Sequence, residues 1–507
     1  MSIETSLRAG GRVLLDRTSD VFPVYLLATG LLLTAQVPIL LALGAIAFIL
    51  VQTGAVSALL TEIEAIDPDA FDPETFDPES PEAAAEAFPP GFEEALLNVF
   101  TPTVVALFFL GVIGSVLVVL LARGFTNAAT LSAVYAALRG EDGVDAAVDG
   151  IVARWKSFVA LSLIEVTLLL LTGIPIAFSL ALIALGSPAI GAVSFLLSLF
   201  IGLVVVLTVL LGFAFAGQSI VVDDVGVLTG IRGSFSFIVR NPIGFGGYIL
   251  VAIGMLVLTG TLSGIFGALG VSQLSALLSP LVFLPFMDTF KTSLYAERAH
   301  TPIETPPTGD RLKTIFSDGI RTMGGFIRSH PVAHIGAAAL FAGGALFGWS
   351  LTAGAEIPFG EPEDVGAVFG AFPVGTFISI SVNNWLVGAA AAFGGVVVGI
   401  PTVMSLLFNG AIVGIVYGVS DPIVFYALVA PHGIIELPAI FIACAAGFHL
   451  AGVTVGALRG TQDRYAVATA LRLVYRVLIG LAIVFVIAGF VEAFLTPPIA
   501  EIILRIF

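Results

Sequence analysis

The sequence predicts an all-α fold: a polytopic transmembrane helical bundle of about eleven spans, with the N-terminus inside and the C-terminus outside. Three observations lead there. Of 507 residues, 58% are hydrophobic and 11% are charged, and the mean hydropathy is +1.08; water-soluble domains of this size do not carry that balance. Apolar runs of about eighteen residues or more recur along the chain, each long enough to cross a hydrocarbon core of about 30 Å. The runs are continuous rather than alternating, which excludes a transmembrane barrel.

The spans read, in order, as 24–56, 102–122, 157–185, 189–215, 246–269, 273–295, 332–351, 375–399, 403–419, 423–456 and 472–495. The first is long enough to hold a kink or an interfacial turn. Charge constrains the count through the positive-inside rule. With the N-terminus in the cytoplasm, nineteen of the twenty basic residues fall inside, from Arg8, Arg12 and Arg17 to Arg459, Arg464, Arg472 and Arg476, and only Arg505 falls outside. Adding or removing one span scrambles that split.

The outer segments carry the opposite sign. Residues 61–97 hold twelve carboxylates and no basic residue, within "DPDAFDPETFDPES" and its flanks. Proline steps extend such a chain, and the glycine turn and ordered ligands of an EF-hand are missing, so this is expected to be a solvated acidic loop. Glu356 to Asp364 reads the same way. The net charge of −16, with lysine only at Lys156, Lys291 and Lys313, resembles the composition of halophilic archaeal proteins. A single cysteine, Cys444, excludes an intramolecular disulfide and a cysteine metal cluster. Met1 to Gly10 lacks the pattern of a cleaved signal peptide, and no GxxxxGK[ST] loop is present. No cofactor and no nucleic-acid partner are expected; the lipid bilayer is the expected surrounding, and a homo-oligomer is compatible with it.

The proline- and threonine-rich "HTPIETPPTGDR" divides the chain into a six-span membrane domain, 1–298, a cytoplasmic linker, 299–319, and a five-span membrane domain, 320–507. In the first domain, "LSAVYAALRGEDGVDAAVDGIVARWKS" and "GVLTGIRGSFSFIVRNPIGFGG" are expected to lie along the inner membrane face. Two segments, "FIVRNP" and "FIRSHP", end in proline just before a span. Glu165, inside the third span, is expected to pair with an arginine or snorkel, with a functional carboxylate as the other reading. Asp288 and Lys291 are expected to form an i,i+3 pair. On "IRGSFSFIVRNP" and "LPFMDTFKTSLYAER", this half resembles six-helix domains found beside glycerophosphodiester phosphodiesterases and in archaeal membrane proteins; no chemistry follows from that.

Polar residues gather in the second domain. Asn383 and Asn384 stand in "TFISISVNNWLVGAAAAFGG", Asn409 in "LLFNGAIVGIVYG", and "ALVAPHGIIELPAIFIA" carries Pro431, His432, Gly433, Glu436 and Pro438. Glycines at 410, 414 and 418, at 395 and 399, and at 452 and 456 form small-xxx-small faces. Pro431 has no N–H for the carbonyl of Ala427 and Gly433 loosens the same turn, so span ten is expected to be two half-helices. His432 and Glu436, at i,i+4, share one face.

The order Asn-Asn, "AFGG", "FNG", "PHGIIELPAI", "AAGFHLAG" resembles the stage II sporulation protein M family over about 320–495, a five-span unit. The resemblance implies a membrane scaffold that recruits envelope proteins, with relatives that travel with MoxR-type ATPases. Three readings of the His432–Glu436 pair stay open. It locks the bundle through Asn383, Asn384 or Asn409; it serves a transporter or channel; or it binds zinc in an intramembrane hydrolase. For zinc, the third donor is expected only from His334 or His449. His449 lies about 20 Å along a straight helix from Glu436, and HExxH is absent, so no metal is expected. The sequence therefore reads as a non-enzymatic, multi-pass envelope scaffold, with transporter and hydrolase as alternatives.

Overall fold

The computed structural model describes residues 2–66, 88–301, 306–353 and 373–506. All regular structure among these residues is helical, and eleven helical segments are long and apolar enough to cross a membrane. The protein is an all-α, multi-pass membrane protein. Most of the acidic segment 61–97, all of Glu356 to Asp364 and part of the linker 299–319 lie outside the described residues.

The first half begins with α1 (Ile3–Asp16), a surface helix whose first turn is capped by the Ser2 hydroxyl accepting from the Thr5 N–H. Span one is α2 (Thr18–Leu33) and α3 (Val37–Gln52), joined by a 3-10 turn at Thr34–Gln36. Short helices α4 (Ala55–Glu64) and α5 (Phe92–Val99) flank the acidic segment. Then come α6 (Pro102–Arg139) and α7 (Gly143–Leu171), which continues as α8 (Gly173–Ala184). The half continues with α9 (Pro188–Gly212), α10 (Ala216–Val222), α11 (Val227–Arg240) and α12 (Pro242–Ala268). It ends in α13 (Gln273–Leu278) and α14 (Leu284–Ala296), joined by a π-helical turn at Ser279–Phe283.

One expectation for this half fails. The segment around Arg139 does not lie along the membrane face. It is the tip of a long hairpin: α6 has 38 residues, about 57 Å of helix, and runs on into α7 through a turn with Gly140 at φ +80°. Val134, Ala137 and Leu138 pack with Ala9, Val13 and Tyr25 of α1 and α2, while Val144 and Ala147 share a buried cluster with Ala129 and Ala133 of α6. Asp142 caps α7, accepting from the N–H groups of Val144 and Asp145 at 3.0 and 2.9 Å. By contrast α11 does end at Arg240, and α12 starts at Pro242, with Asn241 capping Gly244 at 3.0 Å.

The buried charges of this half find partners. Glu165 lies 3.8 Å from Arg123. Asp288 and Lys291 attract each other without forming a contact ion pair: Asp288 accepts from the Tyr25 hydroxyl at 2.7 Å, while the Lys291 ammonium sits 5.6 Å from the centroid of the Tyr248 ring and 5.8 Å from that of Phe215. Tyr25 comes from α2, so this bond crosses the bundle where a same-helix pair was expected.

The second half contains α15 (Thr308–Ser329), an amphipathic helix, and α16 (Pro331–Thr352), followed by α17 (Val374–Gly394), α18 (Ile400–Val419), α19 (Pro422–Leu458), α20 (Arg464–Phe490) and α21 (Thr496–Ile506). The α16–α18 pair is the closest approach. A Cβ on Gly344 or Gly348 would strike the carbonyl of Leu407 or Ala411, and one on Gly410 or Gly414 would strike that of Phe341 or Ala345. Gly418 is pressed on Thr352, and Gly395 faces the Gly447 carbonyl in the same way. Gly452 meets nothing within 4 Å and Gly456 only Gln462, so that repeat is not a helix interface. Span one joins this bundle: Val24, Leu27 and Leu31 share a buried core with Phe393, Cys444 and Leu478, and Gly30 abuts Phe393 and Gly394. Arg472 of α20 binds both Asp142 and Asp145, at 2.5 and 2.9 Å, so the hairpin tip is tied to the second half as well.

Two outcomes test this packing. Gly414→Val lowers the thermal midpoint in detergent by an amount corresponding to about 1–3 kcal/mol or more, because backbone rather than a side-chain end blocks the new methyls. Gly264→Val, on α12 where nothing lies within 4 Å, leaves the midpoint unchanged.

A further outcome concerns His300, outside the spans, whose side chain is 1% exposed and lies 3.2 Å from the Asp16 carboxylate. Burial pushes its pKa down, against the opposing pull of Asp16. The unfolded chain then takes the proton more readily. The His300 contribution is therefore fully present above the unfolded value of about 6.5 and is lost as pH falls through the lowered folded value. Thermal melts between pH 5 and 8 will show wild type losing more stability on acidification than His300→Gln.

Candidate functional site

The site is built on three helices whose backbones are fixed elsewhere. On α17, the Trp385 indole N–H donates to the Leu478 carbonyl at 2.8 Å, which holds the turn bearing Asn383 and Asn384 against α20. On α20, the last α-helical turn gives way to a π-helical turn, Val491–Leu495, where the Thr496 N–H reaches back to the Val491 carbonyl. A π turn takes in one residue more than an α turn and changes where its side chains project; such turns recur at functional positions. This one carries Glu492. Phe490 and Phe494 stack on each other at 5.0 Å and pack on Phe377 of α17, which steadies it.

The third element corrects an expectation. Pro431, Gly433 and Pro438 do not break span ten: α19 is one helix of 37 residues with both prolines inside it. Each proline leaves one carbonyl, that of Ala427 or Ile434, without its helical donor. Membrane helices bear this loss when neighbours pack around the freed group, and Ala427 is fully buried. Gly433 is no close-approach glycine either, since its nearest neighbour for a Cβ is Val429 at 3.7 Å. His432 and Glu436 thus remain on one helical face, as their spacing requires.

These elements bring His432, Glu436 and Glu492 together, each with a donor atom within 4.8 Å of the others. They line an open cavity of about 340 Å³ with Asn383, Asn384, Ser379, Ile380 and Gln273. Ser379 donates to the Gly270 carbonyl at 2.8 Å, which brings the Gln273 end of α13 to the rim. The Asn383 amide donates to Asn384 at 3.3 Å. Among the described residues, His432 Nδ1 and Glu436 Oε2 are buried without a hydrogen-bond partner, and no lysine or arginine lines the cavity.

Of the residues singled out from the sequence, Asn383, Asn384, His432 and Glu436 converge, and Asn409 does not. Its amide donates to the Ser405 carbonyl at 2.7 Å on its own helix. Neither His334 nor His449 is a third donor. His449 shares a hydrogen bond with His330 at 3.1 Å, and His334 Nδ1 donates to the His330 carbonyl at 2.6 Å, in a separate cluster around Phe326. The third residue at this face is Glu492, which sequence reasoning passed over. A signal was present: it is the sole carboxylate between Arg464 and Ala500. Gln273, at the start of span six, was passed over too.

The arrangement offers one imidazole, two carboxylates and three amides facing one space, a set that attracts cations or protons and repels anions. Toward the Leu458 end, the same face of α19 runs into solid packing. Ala443, Cys444 and Ala445 are fully buried, Phe485 and Gly388 close over Ala443, and the Thr402 hydroxyl bonds the Ala391 carbonyl at 2.7 Å beside Gly447.

Comparison with known proteins finds a match in the second half of the chain. The family model "Stage II sporulation protein M" matches residues 337–497, which include every residue of the site except Gln273. An uncharacterized protein of Methanocaldococcus jannaschii is 31% identical over 133 residues, 25% of this chain and 75% of that protein. No solved structure matches the chain. Through residues 337–497, with their buried glycine contacts and the His432–Glu436 face, the chain belongs to the stage II sporulation protein M family of membrane proteins.

Proposed function

We propose that the protein is a non-enzymatic membrane platform of the cell envelope, in which a six-span unit, 1–298, and a five-span unit, 320–507, assemble partner proteins. The observation that carries this reading is the solid packing below the polar cavity. Cations or protons entering beside Glu436 meet Ala443, Cys444 and Gly447 against α17 and α20, with backbones in contact at Gly395. A transporter needs two discrete arrangements around its site, and small-residue interfaces of this closeness resist sliding. The site then binds rather than conducts. The polar face of α15, with Lys313, Arg321 and Arg328 exposed, is the surface on which envelope partners, including ATPases of the MoxR type, would dock.

Reconstitution tests the platform against the transporter. Proteoliposomes carrying purified protein and pH- or metal-sensitive dyes are expected to leak no faster than empty liposomes, for wild type and Glu436→Gln alike. A flux that Glu436→Gln abolishes sinks the platform reading. In native membranes, chemical cross-linking followed by mass spectrometry is expected to recover the same partners from wild type and Glu436→Gln. Those partners disappear when Lys313, Arg321 and Arg328 are replaced by alanine; retention in that variant removes α15 as the docking face.

A further inference from the structure

We propose that His432, Glu436 and Glu492 bind a first-row divalent transition-metal ion, which clips α19 to the π turn after α20.

Geometry comes first. His432 and Glu436 are one helical turn apart on α19, and Glu492 faces them from a different element, so the three donors converge from two sides. Their mutual separation of at most 4.8 Å is close to what a bound ion needs. With metal–ligand distances of about 2.1 Å, tetrahedral donors sit about 3.4 Å apart, a gap that side-chain rotation on three flexible residues closes. Asn383, Asn384 and Gln273, on the same cavity, offer amide oxygens to complete the shell or to orient the ligands.

Satisfaction comes second. His432 Nδ1 and Glu436 Oε2 are buried without a partner, although buried polar atoms are ordinarily bonded. Two carboxylates face each other across the cavity, and among the described residues no lysine or arginine lines it. Protons on the carboxylates would relieve the repulsion, yet they would leave the imidazole nitrogen unused. One divalent cation satisfies all three groups.

The donor set narrows the ion. An imidazole nitrogen suits zinc, copper, iron or nickel better than manganese, and better than magnesium, which prefers oxygen donors and keeps its waters. Calcium takes six to eight oxygens, more than these groups supply. Three protein ligands beside an open cavity leave a position for water or for a partner's carboxylate. The proposal goes beyond the platform reading and stands apart from it: a bound ion that never crosses the membrane is compatible with zero flux.

The test uses the full-length protein in detergent, stripped with a chelator and titrated with zinc, manganese and magnesium, with bound metal counted by mass spectrometry. Wild type is expected to hold one zinc per chain, manganese more weakly in keeping with the order of divalent affinities, and to show no competition from magnesium. Zinc should raise its thermal midpoint. Glu436→Gln and Glu492→Gln, checked for monodispersity, should each weaken zinc binding by about tenfold or more and lose the thermal shift. His449→Ala should change neither. The proposal is overturned if metal-free wild type takes up no zinc at micromolar free ion. It is equally overturned if uptake survives the double variant of Glu436 and Glu492 and is lost in His449→Ala, which would place zinc at the His330–His449 cluster.

Discussion

Lipid gives two apolar helices no reason to touch, because the acyl chains are as apolar as the helices. What holds this protein together is close backbone approach, available only where side chains are absent or small. The α16–α18 pair shows the rule most plainly: Gly344, Gly348, Gly410 and Gly414 each face an opposing carbonyl at a distance that no other residue tolerates. The same device brings Gly395 against Gly447 and Gly30 against Phe393. The spans that lack it pack little. α12 carries Gly254, Gly260 and Gly264 with open space beside each, and its surface is given to lipid.

That tight core allows the polar site to exist. A carboxylate in a membrane is tolerated when its surroundings are fixed and its charge is answered. α17, α19 and α20 are fixed by the Trp385–Leu478 bond, by the stacked Phe490 and Phe494, and by the alanine-rich face around Cys444. The site lies where this packing ends and water can enter, with three donors on one side and solid core on the other. The proline pair in α19 is consistent with this placement. Pro431 and Pro438 bracket His432 and Glu436, and each removes one backbone hydrogen bond from the helix without ending it.

The eleven spans were legible in the sequence because hydropathy and the distribution of arginine both act residue by residue. The glycine face at 410, 414 and 418 was legible for the same reason, since a fixed spacing on one helix needs no knowledge of its partner. Gly452 and Gly456 have the same spacing and, among the described residues, no partner helix, which shows what spacing alone leaves out. The continuity of α19 through Pro431 was not legible, because helix breaking depends on whether neighbours pack around the freed carbonyl. Nor was Glu492. It stood out as the sole carboxylate between Arg464 and Ala500, but a π turn sets it beside residues far away along the chain, and local pattern does not say what it meets.

The two halves of the molecule treat buried charge differently, and the difference bears on function. In the first half each such group has an answer within the fold: Asp288 the Tyr25 hydroxyl, Glu165 the Arg123 guanidinium, Lys291 the faces of Phe215 and Tyr248. These contacts join different helices. The second half holds a histidine and two glutamates within reach of one another, with buried atoms unbonded and no basic residue at hand. A fold that elsewhere pairs its charges side chain to side chain has here left room for something it does not itself supply. The simplest chemical species that fits a nitrogen and two carboxylates in that room is a cation.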